Sequence, residues 1–335
     1  MKKTVRAAIL ATTAAAIAAP ALAEEWDVSL WGARRAFTEH VEKLAELVSQ
    51  KTDGGFTLNI SYGGLSNERE NLDGISIGAF EMAQFCAGYH PDKNSSITVL
   101  ELPFLGVSTL QQEREISQTL YTHPAVAEDL ARWNATLLMP SPLPQYNLVG
   151  SGPSPASLDD LSGLAVRATG GIGEAMADLG AVPTSMSASE VRQAMDSGVI
   201  TAVSFAPHAH MSFGTVEAAD WWTTNLDPGT VNCPVVVNTD ALEGLSEAHR
   251  EALLSSVDEA LDHYVAFYED ETLAAWGPRL DGLGIERVTF SDENLAALRE
   301  RVAQPTAQAW IEENAALGLP AQELYDLVSG MAADG

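Results

Sequence analysis

The sequence has 335 residues, of which 18 are lysine or arginine and 46 are aspartate or glutamate, so its formal net charge is −28 at pH 7. Contacts with phosphate groups require a basic surface, and this charge therefore excludes nucleic acids and anionic membrane surfaces as expected partners. The length is sufficient for two domains that each have a hydrophobic core.

Residues 1–23 have the pattern of an export signal. Lys2, Lys3 and Arg6 precede a run of small apolar residues, and Ala21-Leu22-Ala23 matches a cleavage site. No other run approaches the roughly 18 apolar residues that a membrane span needs. We therefore expect a mature protein that is exported to the periplasm and is not embedded in the membrane.

The first part of the mature chain alternates strand patterns with helix patterns. Period-two alternation predicts the strands and helical spacing predicts the helices. In chain order, the predicted elements are a strand at 26–31, a helix at 36–51, a strand at 56–62, a helix at 67–75 and a strand at 80–85. This β-α-β-α-β order is typical of a parallel sheet covered by helices.

A proline-rich segment separates this part from a second α/β region. Pro140, Pro142 and Pro144 predict a stiff, extended crossover between two lobes. The elements predicted after it are strands at 164–166, 182–184 and 199–205, helices at 174–179 and 187–196, a second crossover at 235–238, and a long helix at 246–271 that 273–280 extends after a kink. The predicted fold class is therefore α/β with two lobes, and a cleft between such lobes is a common place for a small ligand.

Arg167 is the first candidate for a contact in that cleft. It directly follows the apolar strand Leu164-Ala165-Val166, at the carboxyl end where α/β sheets bind ligands. A guanidinium in this position can hold a carboxylate through two parallel, charge-assisted hydrogen bonds. The alternative is an arginine that is simply solvated at the surface.

Four sequence segments together resemble a known family. They are Leu-Ser-Gly-Leu-Ala-Val-Arg at 161–167, Ala-Met-Asp-Ser-Gly-Val-Ile at 194–200, Leu-Pro-Phe at 102–104 and Val-Val-Val-Asn at 235–238. In this order and spacing, the chain resembles the dicarboxylate-binding type of solute-binding protein of TRAP transporters, from about Trp26 to about Ile311. The resemblance implies a periplasmic binding protein fold with a hinge and with a long helix that spans both lobes.

The resemblance also implies a function and a division of the chain. It implies that Arg167 pairs with the carboxylate of a small organic acid, which the protein delivers to the TRAP membrane subunits. We expect lobe I at 24–147 plus about 232–262, lobe II at 148–231 plus about 263–312, and a C-terminal helical tail at 313–335. We expect no catalytic residue, no cofactor and no metal ion. The alternatives are a periplasmic hydrolase that uses the same cleft and a binding protein that feeds a sensor.

The sequence departs from the family after Ile200. The family usually has an aspartate there and then a polar residue near a proline, but this chain has Thr-Ala-Val-Ser-Phe-Ala-Pro-His at 201–208. Phe205 thus occupies a place where a polar ligand contact is expected. We therefore predict a ligand with an apolar or aromatic portion, whose end opposite Arg167 is not a second carboxylate.

Five further residues are predicted to surround the ligand, because they are aromatic or histidine residues near strand ends. They are Trp31, Phe85, Tyr89, Phe205 and His208. For each of them, ordinary packing is the alternative. Arg34 and Arg35, which follow Trp31, could supply a second cation at the cleft, but we favour the alternative that both are solvated.

Two other features leave alternatives open. Cys86 and Cys233 lie beside strand-like runs, and we favour free thiols over one disulfide bridge. His208 and His210 could belong to a metal site, but no third ligand stands at a suitable spacing, so we favour a hydrogen bond from His208 to the ligand.

Overall fold

The chain folds around two separate β-sheets, in a computed structural model that describes residues 23–90 and 92–333. Apart from Ala23, the predicted export signal lies outside the described residues. In spatial order, the strands of the first sheet are β2 (Phe56–Tyr62), β1 (Glu24–Leu30), β3 (Met82–Gln84), β10 (Val235–Asn238) and β4 (Ala135–Met139). β1 runs parallel to β2 and β3, whereas β10 is antiparallel to β3 and β4.

The second sheet carries Arg167 on one of its inner strands. In spatial order its strands are β11 (Glu286–Val288), β9 (Trp221–Thr223), β5 (Asn147–Gly150), β8 (Ala202–Phe205), β6 (Ala165–Arg167) and β7 (Val182–Thr184). β6 runs parallel to both of its neighbours, β7 and β8. The two sheets with their helices form the two lobes that the sequence predicts, and below we call them lobe I and lobe II.

Fourteen α-helices connect and cover the strands of the described residues. They are α1 (Glu39–Lys51), α2 (Asn71–Ser76), α3 (Leu110–Tyr121), α4 (Pro124–Ala131), α5 (Gly170–Asp178), α6 (Val191–Asp196), α7 (Pro207–Ser212), α8 (Thr239–Gly244), α9 (Glu247–Leu254), α10 (Val257–Phe267), α11 (Ala274–Leu283), α12 (Asp292–Leu298), α13 (Gln304–Ala316) and α14 (Ala321–Ala333). None of the described helices is long and apolar enough to cross a lipid bilayer.

The β-α-β-α-β prediction for the start of the chain is confirmed. Trp26, Val28 and Leu30 alternate along β1 and are buried in the core, as the period of a strand requires. One stripe of α1, which includes Val41 and Leu44, packs into the same core. The period of two along β1 and the helical period along α1 therefore predict these elements of lobe I correctly.

A long helix passes from one lobe to the other, but it begins later than predicted. The predicted helix at 246–271 is broken after α9, where the Ser256 hydroxyl donates to the Ala252 carbonyl. α10 then continues through a π-helical turn, Tyr268–Leu273, into α11. The start of this continuous helix packs in the lobe I core, and its end packs against Trp222 of lobe II. A single rigid element thus joins the two lobes.

The last two helices return to lobe I. Leu324 and Val328 of α14 are fully buried in a core that also contains Phe85 and Ile97. The indole of Trp310 on α13 donates to the Thr98 hydroxyl at 2.8 Å. Both ends of the described chain therefore belong to lobe I, while the predicted boundaries at 147, 231, 262 and 312 stay a prediction.

Candidate functional site

Arg167 is held at the carboxyl end of β6 by backbone carbonyl groups. Its Nε and Nη2 donate to the Met186 carbonyl at 3.2 and 3.1 Å, and Nη1 lies 3.4 Å from the Ser204 carbonyl. Its side chain is only 3% exposed. Residues 23–90 and 92–333 provide no carboxylate that forms an ion pair with it. The guanidinium is therefore fixed in direction but keeps an uncompensated charge.

The loop that holds Arg167 has a defined local structure. At the start of the helical segment that leads into α6, the Glu190 carboxylate accepts from the backbone N–H of Ser187 at 3.2 Å, as in a capping box. This cap fixes the chain just after Met186, whose carbonyl accepts from Arg167. The local sequence therefore places an acceptor where the guanidinium needs one.

Aromatic rings surround the guanidinium. The Phe205 ring centroid lies 4.5 Å from the Arg167 guanidinium carbon, and the Phe213 ring lies 5.9 Å from that of Phe205. On the lobe I side, Phe37 stacks on His208 at 5.0 Å with an angle of 10° between their planes. Such rings attract a nearby cation and offer flat apolar faces to a ligand.

Five of the six predicted ligand residues line one cavity between the lobes. They are Trp31, Tyr89, Arg167, Phe205 and His208. The space that these residues line measures about 460 Å³, a value that includes its opening to solvent. The cavity is small and mostly aromatic, with a buried cation at its wall.

Phe85 is the exception, and its prediction as a ligand contact needs correction. Its side chain is fully buried in the lobe I core and lies edge-on to His90, 5.7 Å away. Successive side chains of an extended segment point to opposite faces. Since Cys86 faces the cavity, Phe85 must face away from it.

Comparison with known proteins decides the family. Residues 28–313 match the family model described as DctP, bacterial extracellular solute-binding protein, family 7. The chain belongs to this family. The resemblance to TRAP solute-binding proteins is thereby confirmed.

Related proteins share the fold at low sequence identity. The outer membrane transporter protein TsaT of Comamonas testosteroni is 24% identical over 301 residues, which are 88% of this chain and 86% of that protein. A marine metagenome TRAP solute-binding protein specific for aromatic acids, solved with metahydroxyphenylacetate, superposes with a TM-score of 0.83 at 19% identity and covers 93% of this chain and 99% of its own. A Bordetella pertussis receptor that binds pyroglutamic acid superposes with a TM-score of 0.80 at 21% sequence identity. The superposition covers 91% of this chain and 99% of that receptor.

Arg35 is a cavity residue of this solute-binding protein that the sequence analysis did not select. Its Nη1 donates to the carbonyls of Trp31 and Ala33 at 2.7 and 2.9 Å, and its side chain is buried among aromatic rings. Burial lowers the pKa of Arg35 to about 10. The adjacent Arg34 is exposed and pairs with Glu39 at 2.8 Å, as expected for a solvated cation.

His208 is neutral in this environment. Its Nδ1 lies 2.7 Å from the Tyr268 hydroxyl. Burial, together with the nearby charge of Arg35, holds the pKa of His208 well below its usual value. His210 points elsewhere, because its two ring nitrogens contact the Thr215 hydroxyl and the Asn147 carbonyl. The two histidines therefore do not face a common ligand.

Cys86 and Cys233 form a disulfide in the cavity wall, so the preference for free thiols was wrong. The antiparallel pairing of β3 with β10 continues beyond both strands. Phe85 N donates to the Pro234 carbonyl and Ala87 N donates to the Asn232 carbonyl. These two bonds place the cysteines opposite each other, a register that neither segment specifies alone.

Glu101 lies at a second contact between the lobes. Its Oε1 accepts from the backbone N–H groups of Gly88 and Asn232 at 3.2 and 2.9 Å, while its Oε2 is buried without a hydrogen-bond partner in the described residues. Burial raises the pKa of Glu101 to about 7. A Cβ at Gly170 or Gly171 would collide with Glu101, so glycine permits this close approach of α5.

Proposed function

We propose that this protein captures a small organic carboxylate in its inter-lobe cavity and delivers it to the membrane subunits of a TRAP transporter. A single observation carries the proposal: Arg167 is buried at a strand end in the cavity, held by carbonyls, with no carboxylate partner in the described chain. Burying an unpaired cation is costly, and a ligand carboxylate would offset this cost.

We propose further that the ligand has an aromatic or otherwise flat apolar portion. Phe37, Phe205 and Phe213 supply ring faces within the cavity. Two related receptors bind metahydroxyphenylacetate and pyroglutamic acid, both of which are carboxylic acids with a ring. Trp31, Tyr89 and His208 would then contact the ring or its substituents.

The periplasm is the proposed location, because the family is extracellular and the first 23 residues have the export pattern. We also propose that the protein is a receptor and not an enzyme. A hydrolase needs a nucleophile with a positioned base, and the neutral His208 is instead engaged by Tyr268. Recovery of a bound acid in chemically altered form would contradict this part of the proposal.

The test uses protein that has been unfolded and refolded to remove any acid that co-purifies. Calorimetry with a panel of aromatic and aliphatic carboxylic acids gives the dissociation constants for wild type and for Arg167→Gln. We expect about a 30-fold to several-thousand-fold loss for the best acid, because truncating one partner of a buried charge pair costs roughly 2–5 kcal/mol.

The matched control is Arg287→Gln, which removes an exposed arginine on β11 of lobe II that pairs with Asp281 and does not line the cavity. Its affinity should equal that of wild type. Full retention of affinity by Arg167→Gln would contradict the assignment of this residue, and failure of wild type to bind any acid of the panel would contradict the proposed ligand class.

A further inference from the structure

We propose that Arg35 binds a second anionic group of the ligand, so that the cavity accepts an aromatic ring with an anionic substituent at each end. The inference rests on the proposed function, since it assumes that Arg167 holds the first carboxylate. It revises the expectation that the other end of the ligand carries no second carboxylate.

Arg35 is a buried cation whose charge is offset only by the aromatic rings around it and, at longer range, by the Glu68 carboxylate. It is only 9% exposed and takes part in no ion pair of residues 23–90 and 92–333. Moving a guanidinium out of water costs several kcal/mol unless an anion accompanies it. In a chain with a net charge of −28, a buried cation without a carboxylate partner indicates that the missing anion comes from outside the protein.

The hydrogen bonds of Arg35 leave part of its guanidinium free. The carbonyls of Trp31 and Ala33 both accept from Nη1. Nε is buried and has no partner in the described residues. Nη2 forms no hydrogen bond in the described residues, and because Arg35 lines the cavity, Nη2 is the donor that an anionic group of a ligand would meet.

Each of the two arginines lies against one ring of a neighbouring aromatic pair. The guanidinium carbon of Arg35 lies 5.6 Å from the Phe213 ring, and that of Arg167 lies 4.5 Å from the Phe205 ring. The two phenylalanine rings are neighbours, with centroids 5.9 Å apart. A ligand ring packed on this pair could therefore present one substituent to each arginine.

Tyr146 lies near both charges. Burial raises its pKa, and the charges of Arg167 and Arg35 both act in the opposite direction. Its side chain lines the cavity. The interior thus offers a neutral hydroxyl near two cations, which suits a ligand with acceptors along its length.

The experiment compares benzoate with benzene-1,3-dicarboxylate and benzene-1,4-dicarboxylate on the full-length mature protein after removal of bound acid. In wild type, at least one dicarboxylate should bind ten-fold or more tightly than benzoate. Arg35→Gln should weaken that dicarboxylate at least ten-fold while it changes the affinity for benzoate by less than three-fold.

Two further variants serve as controls for Arg35→Gln. Arg34→Gln, the matched control, removes the adjacent exposed arginine and should change neither affinity. Arg35→Lys keeps the charge without the fork and should retain part of the preference for the dicarboxylate, and thermal unfolding of each variant shows whether it folds. If Arg35→Gln does not fold, the wild-type comparison and Arg35→Lys decide the matter.

The outcomes separate this inference from the proposed function. If wild type binds benzoate as tightly as either dicarboxylate, or if Arg35→Gln weakens all three acids equally, Arg35 has a structural role only and the inference is wrong. If monocarboxylates bind and their affinity falls in Arg167→Gln, the proposed function stands even when the inference about Arg35 is wrong. If no carboxylic acid binds, both fail.

Discussion

Arg167 contacts both lobes through one side chain. Its backbone belongs to lobe II, and its Nη2 donates to the hydroxyl of Tyr89 in lobe I at 3.0 Å. The Tyr89 ring in turn lies 4.8 Å from the guanidinium carbon of Arg69. Tyr89 therefore both orients the proposed carboxylate contact and connects it to the opposite lobe.

We expect removal of the Tyr89 hydroxyl to weaken binding of the ligand. Tyr89→Phe keeps the ring but leaves a buried N–H of Arg167 with one acceptor fewer. The net value of such a bond is about 1 kcal/mol, so the dissociation constant of the best acid should rise about three- to ten-fold in calorimetry. Tyr325→Phe, on the distant α14, is the control. Unchanged affinity in Tyr89→Phe would show that the backbone carbonyls of Met186 and Ser204 orient the guanidinium without Tyr89.

Sequence reasoning selected Arg167 for the cavity but did not favour Arg35, for a physical reason. Arg167 directly follows an apolar strand, so its position at the sheet edge is readable from the pattern. Arg35 lies in a turn beyond β1, where side-chain direction depends on the rings of Phe37 and Phe213 that pack around it. The adjacent Arg34 has the same local signature and points to solvent. Only tertiary packing determines that Arg35 is buried and that Arg34 is exposed.

Elements meet at Glu101, where the 3-10 helix of Ser95–Glu101 contacts the start of α5. Because burial raises the pKa of Glu101 to about 7, the folded state binds its proton more tightly than the unfolded state does. Its contribution to stability is complete below about pH 4.5 and is lost as the pH rises to about 7. The total change is on the order of 3 kcal/mol.

Glu101→Gln should remove this pH dependence, because the amide stays neutral and can still accept from Gly88 and Asn232. We expect the free energy of unfolding of the variant, relative to wild type, to increase by about 2–3 kcal/mol between pH 5 and pH 8. Urea denaturation at both pH values measures it. Burial also raises the pKa of Glu113, to about 8, but that group is common to both proteins and cancels in the difference. Parallel pH profiles would contradict the prediction.

The elements themselves were predictable where one hydrophobic period dominates. Along β1 and α1 the period alone gives the correct assignment. The break between α9 and α10 was missed, because the apolar pattern continues across Ser255 and Ser256 while a side-chain hydrogen bond ends the helix. The disulfide was missed for a related reason: it depends on the register of β3 against β10, which are 150 residues apart in sequence.

At the scale of the whole molecule, the disulfide closes a loop with a sequence separation of 147 residues that contains most of the lobe II sheet. Cross-links across long loops restrict the unfolded chain most. Replacement of both cysteines by serine should lower the free energy of unfolding by about 2–5 kcal/mol in urea denaturation. A reductant should destabilise wild type to the same extent and leave the double variant unaffected. Equal midpoints for the two proteins would show that the disulfide adds nothing to the stability of the fold.

The two-lobed architecture followed from the proline-rich segment, the alternation of strands and helices and the family resemblance. The return of α13 and α14 to lobe I could not be predicted from the sequence. The pattern of an amphipathic helix shows which face it buries but not against which lobe it packs. The core around Trp310 and Leu324 forms from opposite ends of the chain, and no local pattern contains that information.

Because residues near Ala23 and near Ala333 both belong to lobe I, lobe II is in effect an insertion into it. Two fluorophores attached at the chain ends would therefore both lie on lobe I, and energy transfer between them should not change when the ligand binds. A fluorophore in the exposed turn at residues 152–153 of lobe II, paired with one near Ala333, would instead sense any change of angle between the lobes. The path of the chain thus dictates how this receptor could be converted into an optical sensor.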